Sequence, residues 1–416
     1  MALLSQTGTY TVTAGTGNKD ITLASLGGTG KVAHFWAQSR GTSDGITTNR
    51  CNGYGVAVSS SSRATISASS RDNRGTSQAN FRHDNTKCIT VLDNVGGVIF
   101  AADFISFGVD TMRINVTTAL AGLLLNFEVW GGDDLEDVAL VEFQMNLGTG
   151  TQDITSISFG TPDGCILFGN LHTAPPATAS HGKFCLSMYD GTDSHCVSVN
   201  SVSAVATSVD ARIQKASAFT LLSNAATPAI IFDAAYDSLI TDGVRIDITT
   251  ADLAFYCWAL LIKGPQVKVV TDTQPTTISS KSTDIGFPGA AGLLTTFMGV
   301  ASAGVEDDAR IGIGGLDSSG NQSFGGAVAE HGQATTDTDQ VQDSNEVLLM
   351  IDHAQNVDAR ATGSFSGNNL ALNWTAADAV ARQWGGLVLG SAAAGNMRLV
   401  NGGLINRGLV NAGLSG

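Results

Sequence analysis

The sequence predicts an all-β protein: three tandem β-sandwich repeats of jelly-roll or immunoglobulin-like kind, then an extended C-terminal tail. Three observations lead there. Short runs rich in Val, Ile, Phe and Thr are broken by Gly, Asn, Asp and Ser, the pattern of strands and turns, in a chain with 49 Gly and only 7 Pro. Motifs recur in unchanged order at a spacing close to 130 residues. The segment 398–416 follows a different period, of five residues.

The repeat is carried by matching ends. MRINVTTA (112–119) superposes on VRIDITTA (244–251) at an offset of 132, and a degraded LALNWTAA (370–377) lies 126 further on. The offset of 126 also carries Trp258 onto Trp384 and Gly264 onto Gly390. NKDITLASLGGTGKVAHFW (18–36) matches TQDITSISFGTPDGCILFG (151–169) at 133, placing Phe35 on Phe168. STDIGFPGAAGLLTTFMG (282–299) follows at 128, through Ile157/Ile285, Phe159/Phe287 and Gly164/Gly292. The expected units are residues 1–132, 133–264 and 265–390, with a tail over 391–416.

Each repeat opens with a strand, turns at Gly and enters a buried strand such as Cys165–Phe168 or Leu293–Phe297. A polar, glycine-rich middle carries hairpin signals at Asp190-Gly191 and Asp317-Ser-Ser-Gly320-Asn. Two strong strands close it, Gly243–Thr249 and Leu253–Ile262 in the second copy. Val138–Met145 and Gln266–Thr273 read as strands leading into the next repeat. At this length each repeat is expected to bury a core of its own.

Composition narrows the function classes. The net charge of −15 argues against a nucleic-acid partner, which needs basic surface to displace counterions. The charge is uneven: residues 1–130 hold ten Lys/Arg against eight Asp/Glu, while 131–416 hold twelve against twenty-nine. One end of the protein is therefore expected to meet a different environment. The start, MALLSQTGTYTV, lacks the charged and apolar regions of a signal peptide. Leu253–Ile262, the longest apolar stretch, is far too short to span a bilayer. The expectation is a protein kept in, or assembled from, a cytoplasm, with no membrane partner.

Six cysteines show no C-x-x-C spacing and read as buried free thiols. If Asp190-Gly191 is a two-residue turn, Cys185 and Cys196 stand directly opposite each other, where a cross-strand disulfide could form; a reducing compartment disfavours it.

No H-E-x-x-H or Cys/His dyad occurs, so neither an enzyme nor a cofactor is expected. His172, His181 and His195 lie near Cys185 and Cys196 but lack the close ligand pairs of structural zinc; they read as hydrogen-bonded or surface residues. Asp133, Asp134, Glu136 and Asp137, and Asp337, Asp339 and Asp343, lack the loop Gly and final Glu of an EF-hand and read as solvated loops. Gly312-Ile-Gly314-Gly315 precedes no helix with a phosphate-binding lysine, leaving turns and close strand packing. Asn115-Val-Thr117 and Asn373-Trp-Thr375 fit a glycosylation sequon, but the second copy has Asp247-Ile-Thr249 there, so the position wants a short polar side chain.

Tandem β-sandwiches of low charge, rich in Gly, Ser, Thr and Ala, resemble structural proteins of tailed-bacteriophage virions. The opening ITSISFGTPDGCILFG and the closing RIDITTADLAFYCWALLIKG look like such phage proteins, and the resemblance covers all three repeats. It implies a non-enzymatic virion component assembled in the host cytoplasm: a capsid decoration or cement protein, a head spike, or a tail accessory. Its partners would be other capsid or tail subunits, or further copies of itself as a homo-oligomer. A host glycan is a secondary partner, because Trp36, Trp130, Trp258, Trp374 and Trp384 mostly fall in or beside apolar strands and not in polar loops.

Two segments are candidate interfaces. Val56–His83 carries Arg63, Arg71, Arg74 and Arg82, a set the other copies lack, and arginine pairs bidentately with the carboxylates of an acidic shell. The tail carries Leu399, Leu404, Leu409 and Leu414 with Ile405 and Val410 beside them. A period of five puts successive leucines on opposite faces of a strand, and each glycine penalises a helix by about 1 kcal/mol. The tail is thus expected to add as a strand to a neighbouring subunit and seat its leucines there.

Overall fold

The computed structural model describes residues 2–39, 44–302 and 304–392. The tail residues Leu399, Leu404, Ile405, Leu409, Val410 and Leu414 lie outside the described residues. All regular structure among the described residues is β-strand.

The first third of the chain forms β1 (Leu3–Thr11), β2 (Gly17–Thr22), β3 (Gly30–Gln38), β4 (Gly45–Thr48), β5 (Arg50–Ala57), β6 (Arg63–Ser70), β7 (Ala79–Asp84), β8 (Ile89–Leu92), β9 (Val98–Gly108), β10 (Thr111–Thr118) and β11 (Leu124–Gly132). The second forms β12 (Asp137–Gln144), β13 (Gly150–Thr155), β14 (Gly164–Gly169), β15 (Ala177–Ser180), β16 (Phe184–Tyr189), β17 (Ser194–Ser201), β18 (Asp210–Lys215), β19 (Phe219–Leu222), β20 (Ile230–Ile240), β21 (Gly243–Thr250) and β22 (Tyr256–Lys263). The third forms β23 (Gln266–Thr273), β24 (Ser280–Asp284), β25 (Ala290–Val300), β26 (Glu306–Asp307), β27 (Ala309–Asp317), β28 (Gln322–Ala329), β29 (Thr338–Asp343), β30 (Leu348–Ile351), β31 (Val357–Ser366), β32 (Asn369–Ala376) and β33 (Gln383–Gly390).

These strands build three pairs of antiparallel sheets, each a seven-stranded sheet with a four-stranded one. The seven-stranded orders are β1-β11-β3-β5-β6-β7-β15, β12-β22-β14-β16-β17-β18-β26 and β23-β33-β25-β27-β28-β29-β4. The four-stranded orders are β2-β10-β9-β8, β13-β21-β20-β19 and β24-β32-β31-β30. The seventh strand of each large sheet comes from another third of the chain. β15 pairs with β7, β26 with β18 and β4 with β29, so the exchange runs second to first, third to second and first to third, and closes.

The sequence explains which sheet lies inside. β10, TMRINVTT, alternates: Met112, Ile114 and Val116 are buried while Arg113 and Thr117 face out, as in a sheet with one wet face. β22, YCWALLIK, is apolar almost throughout, as in a sheet covered on both faces. Its odd-numbered residues Cys257, Ala259 and Leu261 pack against the second four-stranded sheet. Its even-numbered residues Trp258, Leu260 and Ile262 enter a central core shared with Trp36, Tyr54 and Trp130 from the first third and Leu294, Ile313 and Leu387 from the last. Each third thus buries a core of its own between its two sheets, and a further central cluster draws on all three seven-stranded sheets.

The register corrects two superpositions. Trp36 pairs with Asn126, Phe168 with Trp258 and Thr296 with Gly385, so Trp36 and not Phe35 stands where Phe168 does, and Gly385 stands where Trp258 does. Phe35 and Trp384 point the other way, into the cores between layers. A slip of one residue reverses a strand side chain, and β3 carries an extra residue where Trp130 and Gly131 pair with Val32 and Gly30. The charge imbalance is also recast. With three sheets around one core, it separates a flank of the molecule and not an end.

Candidate functional site

The molecule offers three seams between sheet pairs and two ends. At one end the β6–β7, β17–β18 and β28–β29 loops hydrogen-bond in a ring. Ser77 N donates to Val205 O, Ser208 N to Gln333 O, and Asn73 N to Thr336 O, at 2.9, 2.9 and 2.7 Å. At the opposite end of the strands the start of the chain and the junctions meet. Leu3 N donates to Ser391 Oγ (3.3 Å), Gln266 Nε2 to Ser391 O (2.7 Å) and Ala392 N to Asp134 Oδ2 (3.3 Å). Ser391 and Ala392 thus lie at the junction end.

The seams repeat one geometry with different residues. His83, Gln214 and Gln342 occupy one register position, opposite Ile66, Val197 and Gly325. Across the first seam the His83 imidazole stacks on the Trp258 indole, 3.7 Å between centroids. Burial, helped by the neighbouring His172, pushes the His83 pKa down to about 3. Across the third seam Gln342 Nε2 donates to Leu124 O at 3.0 Å and Asn126 Oδ1 at 3.4 Å. Across the second, Gly385 leaves room. A Cβ there would lie 2.5 Å from the His195 ring, whose Nε2 sits 2.6 Å from Thr296 Oγ1. Beside it opens a shallow cleft of about 290 Å³ lined by Gln214, Thr271, Asp272, Thr273 and Gln383.

Charged anchors hold the seams as well, and sequence reading passed over them. Arg50, fully buried, donates from Nη1 to Ser201 Oγ at 2.6 Å across the first seam. Arg212 grips the exchanged β26 through Glu306 at 2.9 Å. In the central core Glu128 stands opposite His34 and accepts from Trp130 Nε1 at 2.6 Å. Burial raises the Glu128 pKa well above the carboxylate range and lowers that of His34 to about 3. Both side chains are fully enclosed, so neither is open to a substrate. The readable signal was a polar residue inside an apolar run, His34 in KVAHFWA and Glu128 in LNFEVW.

The four arginines do not form one patch. Arg63 lies at the start of β6, with its Nη2 3.4 Å from Asp103. Arg82 pairs with Asp84 at 2.5 Å and donates to Thr178 Oγ1 of the exchanged β15. Arg71 and Arg74 alone belong to the ring of loops, where Thr336 Oγ1 donates to Arg71 O and Arg74 N donates to Thr336 Oγ1.

Cys185 and Cys196 are not directly opposed: Cys185 faces Ser198 and Cys196 faces Ser187. The turn holds four residues, Asp190–Asp193, closed by Asp190 N donating to Asp193 O. The sulfurs are 3.6 Å apart, and all six cysteines are free thiols. His172, His181 and His195 point to separate partners: the ring nitrogens of the first two accept from Ala174 N and Ser203 N, and His195 meets Thr296. Asp134 caps Ala392 and Asp137 caps Val138. Asp337, Asp339 and Asp343 are not one solvated loop. Asp339 and Asp343 belong to β29, with Asp339 almost fully buried. Gly312, Gly314 and Gly315 lie within β27, not in turns; a Cβ on Gly312 would lie 1.9 Å from the Phe324 ring. All five tryptophans are buried. No helix of the described residues is long and apolar enough to cross a membrane.

The sequence matches no family model and no curated relative.

Proposed function

We propose that this chain is a non-enzymatic structural component of a phage virion, a capsid decoration or cement protein or a head spike. In this reading three tandem β-sandwich repeats of one chain stand in for a trimer about a pseudo-threefold axis. The observation that carries it is the closed exchange of β4, β15 and β26 among the three large sheets, joined by a common core. Strand exchange is how separate protomers lock into a closed oligomer. Within one chain it makes a rigid plug whose two ends are free for neighbours. Arg71 and Arg74 on the loop end would face carboxylates of a shell, and the tail beyond Ala392 would add as a strand to an adjoining subunit. Fusing the copies also lets them differ, so the basic-leaning first third can orient the molecule where a homotrimer could not. Neither nucleic acid nor membrane is a partner in this reading, and assembly takes place in the host cytoplasm.

The cleft at the second seam, lined by amides, hydroxyls and a carboxylate, supports a second reading, a tail-associated or glycan-binding host-adhesion protein. Cryo-electron microscopy of purified particles, with quantitative mass spectrometry, separates them. The first reading expects stoichiometric copies on the capsid and no glycan-array signal. Deleting residues 398–416 should leave a folded protein with reduced occupancy. Purified particles without the chain would refute both readings, and full occupancy of the truncated protein would refute the role of the tail.

A further inference from the structure

At the loop end of the third sheet pair, Glu330 follows β28 and Asp337 precedes β29, the hairpin being closed by Glu330 N donating to Asp337 O at 2.9 Å. His353 reaches them from the turn between β30 and β31, in the other layer. Its Nδ1 lies 3.4 Å from Glu330 Oε2 and 3.7 Å from Asp337 Oδ2. One ligand atom from each of the three residues lies within 4.8 Å of the others. Donors bound to one tetrahedral zinc at about 2.0 Å stand about 3.3 Å apart, so these side chains are close to ligating positions.

A second observation is independent of that spacing. Asp339 is 1 % exposed and its Oδ2 has no hydrogen-bond partner, while its Oδ1 accepts from Gln355 Nε2 at 2.7 Å. The charges that act on it are Asp337, Asp72 of the neighbouring loop, and His353. Arg310 is committed to Asp308 and Asp358.

We propose that Glu330, Asp337 and His353 bind one divalent transition-metal cation, with Zn²⁺ the best match, and that Asp339 supports the site from behind. An imidazole nitrogen with carboxylate oxygens suits Zn²⁺, whereas Ca²⁺ and Mg²⁺ take all-oxygen cages. The ion ties the β28–β29 hairpin to the opposite layer beside the loop that brings Asp72 from the first third.

Isothermal titration of the full chain with ZnCl₂, alongside thermal melts with and without the ion, tests this. One Zn²⁺ per chain is expected, with a raised Tm and affinity for Ca²⁺ at least tenfold weaker. His353→Ala and Asp337→Asn should each keep the circular dichroism of the parent and weaken Zn²⁺ at least tenfold. Absence of saturable Zn²⁺ binding overturns the proposal and leaves His353 in an ordinary ion pair. Parental affinity in either folded variant also overturns it, because the ion then sits elsewhere.

Discussion

The His83 imidazole lies against the Trp258 indole, 3.7 Å between centroids and 28° between planes, across the seam of the first two sheet pairs. Trp258 is 2 % exposed and belongs to the core that all three large sheets share. Truncating it removes packing from that common core, so Trp258→Ala should cost about 3–5 kcal/mol. In urea unfolding followed by circular dichroism the loss should shift one transition for the whole molecule. Two separable transitions would show that the sheet pairs unfold independently.

The same stack makes a pH prediction. An imidazole held near pKa 3 when folded and near 6.5 when free contributes stability that is complete above about 6.5. That contribution is lost as pH falls toward 3, because the unfolded chain takes up the proton first. Buried carboxylates with raised pKa, Asp210 and Glu346 at about 7 among them, act in the opposite sense over part of this range. The wild-type profile is therefore a sum, and a difference isolates the histidine. His83→Gln installs the residue found at the matching positions 214 and 342. Between pH 6 and 4 the wild type should lose stability relative to the variant, by up to about 1.4 kcal/mol per pH unit. Parallel profiles would show that His83 is not held neutral.

How much of this was legible follows from what each signal depends on. Strand and turn patterns are local, and the all-β class was readable from them. MRINVTTA and VRIDITTA also mark matching ion pairs: Arg113 chelates Asp20 and Arg245 chelates Asp153. At the third site the register puts Ala371 opposite Ser282, so both partners are gone together. The shared core was not legible, because residue order cannot say whether the inner face of Trp258, Leu260 and Ile262 meets its own sandwich or two others. The exchanged strands were hidden too. β4, β15 and β26 are two to four residues long and sit in polar stretches that read as loops. Glu330, Asp337 and His353 come together only through the hairpin and the opposite layer, and their sequence spacing matches no metal motif.

The thiols give a simple count. Burial pushes Cys51 and Cys165 up to about 12 and raises Cys185 and Cys257 well above the usual thiol range. Attack by a thiol requires its thiolate, so Ellman's reagent should find almost none reactive in the native protein. In guanidinium chloride without reductant it should find all six. A count of four would mean that Cys185 and Cys196 have closed the 3.6 Å gap between their sulfurs.

The last prediction concerns how closely backbones approach inside the first sheet pair. A Cβ on Gly55 would lie 1.9 Å from the Cys88 carbonyl oxygen, and one on Gly53 2.2 Å from that of Thr90. β8 therefore crosses β5 at a distance only glycine allows. The obstacle is backbone on a buried strand, not the free end of a side chain, so the sheets must part to admit a methyl group. Gly55→Ala should lose about 1–3 kcal/mol. Gly75, in the β6–β7 loop, has open space around its Cβ position and no left-handed φ, so Gly75→Ala should leave the denaturation midpoint unchanged. Equal midpoints for the two variants would mean that β8 does not pack on β5 as closely as this.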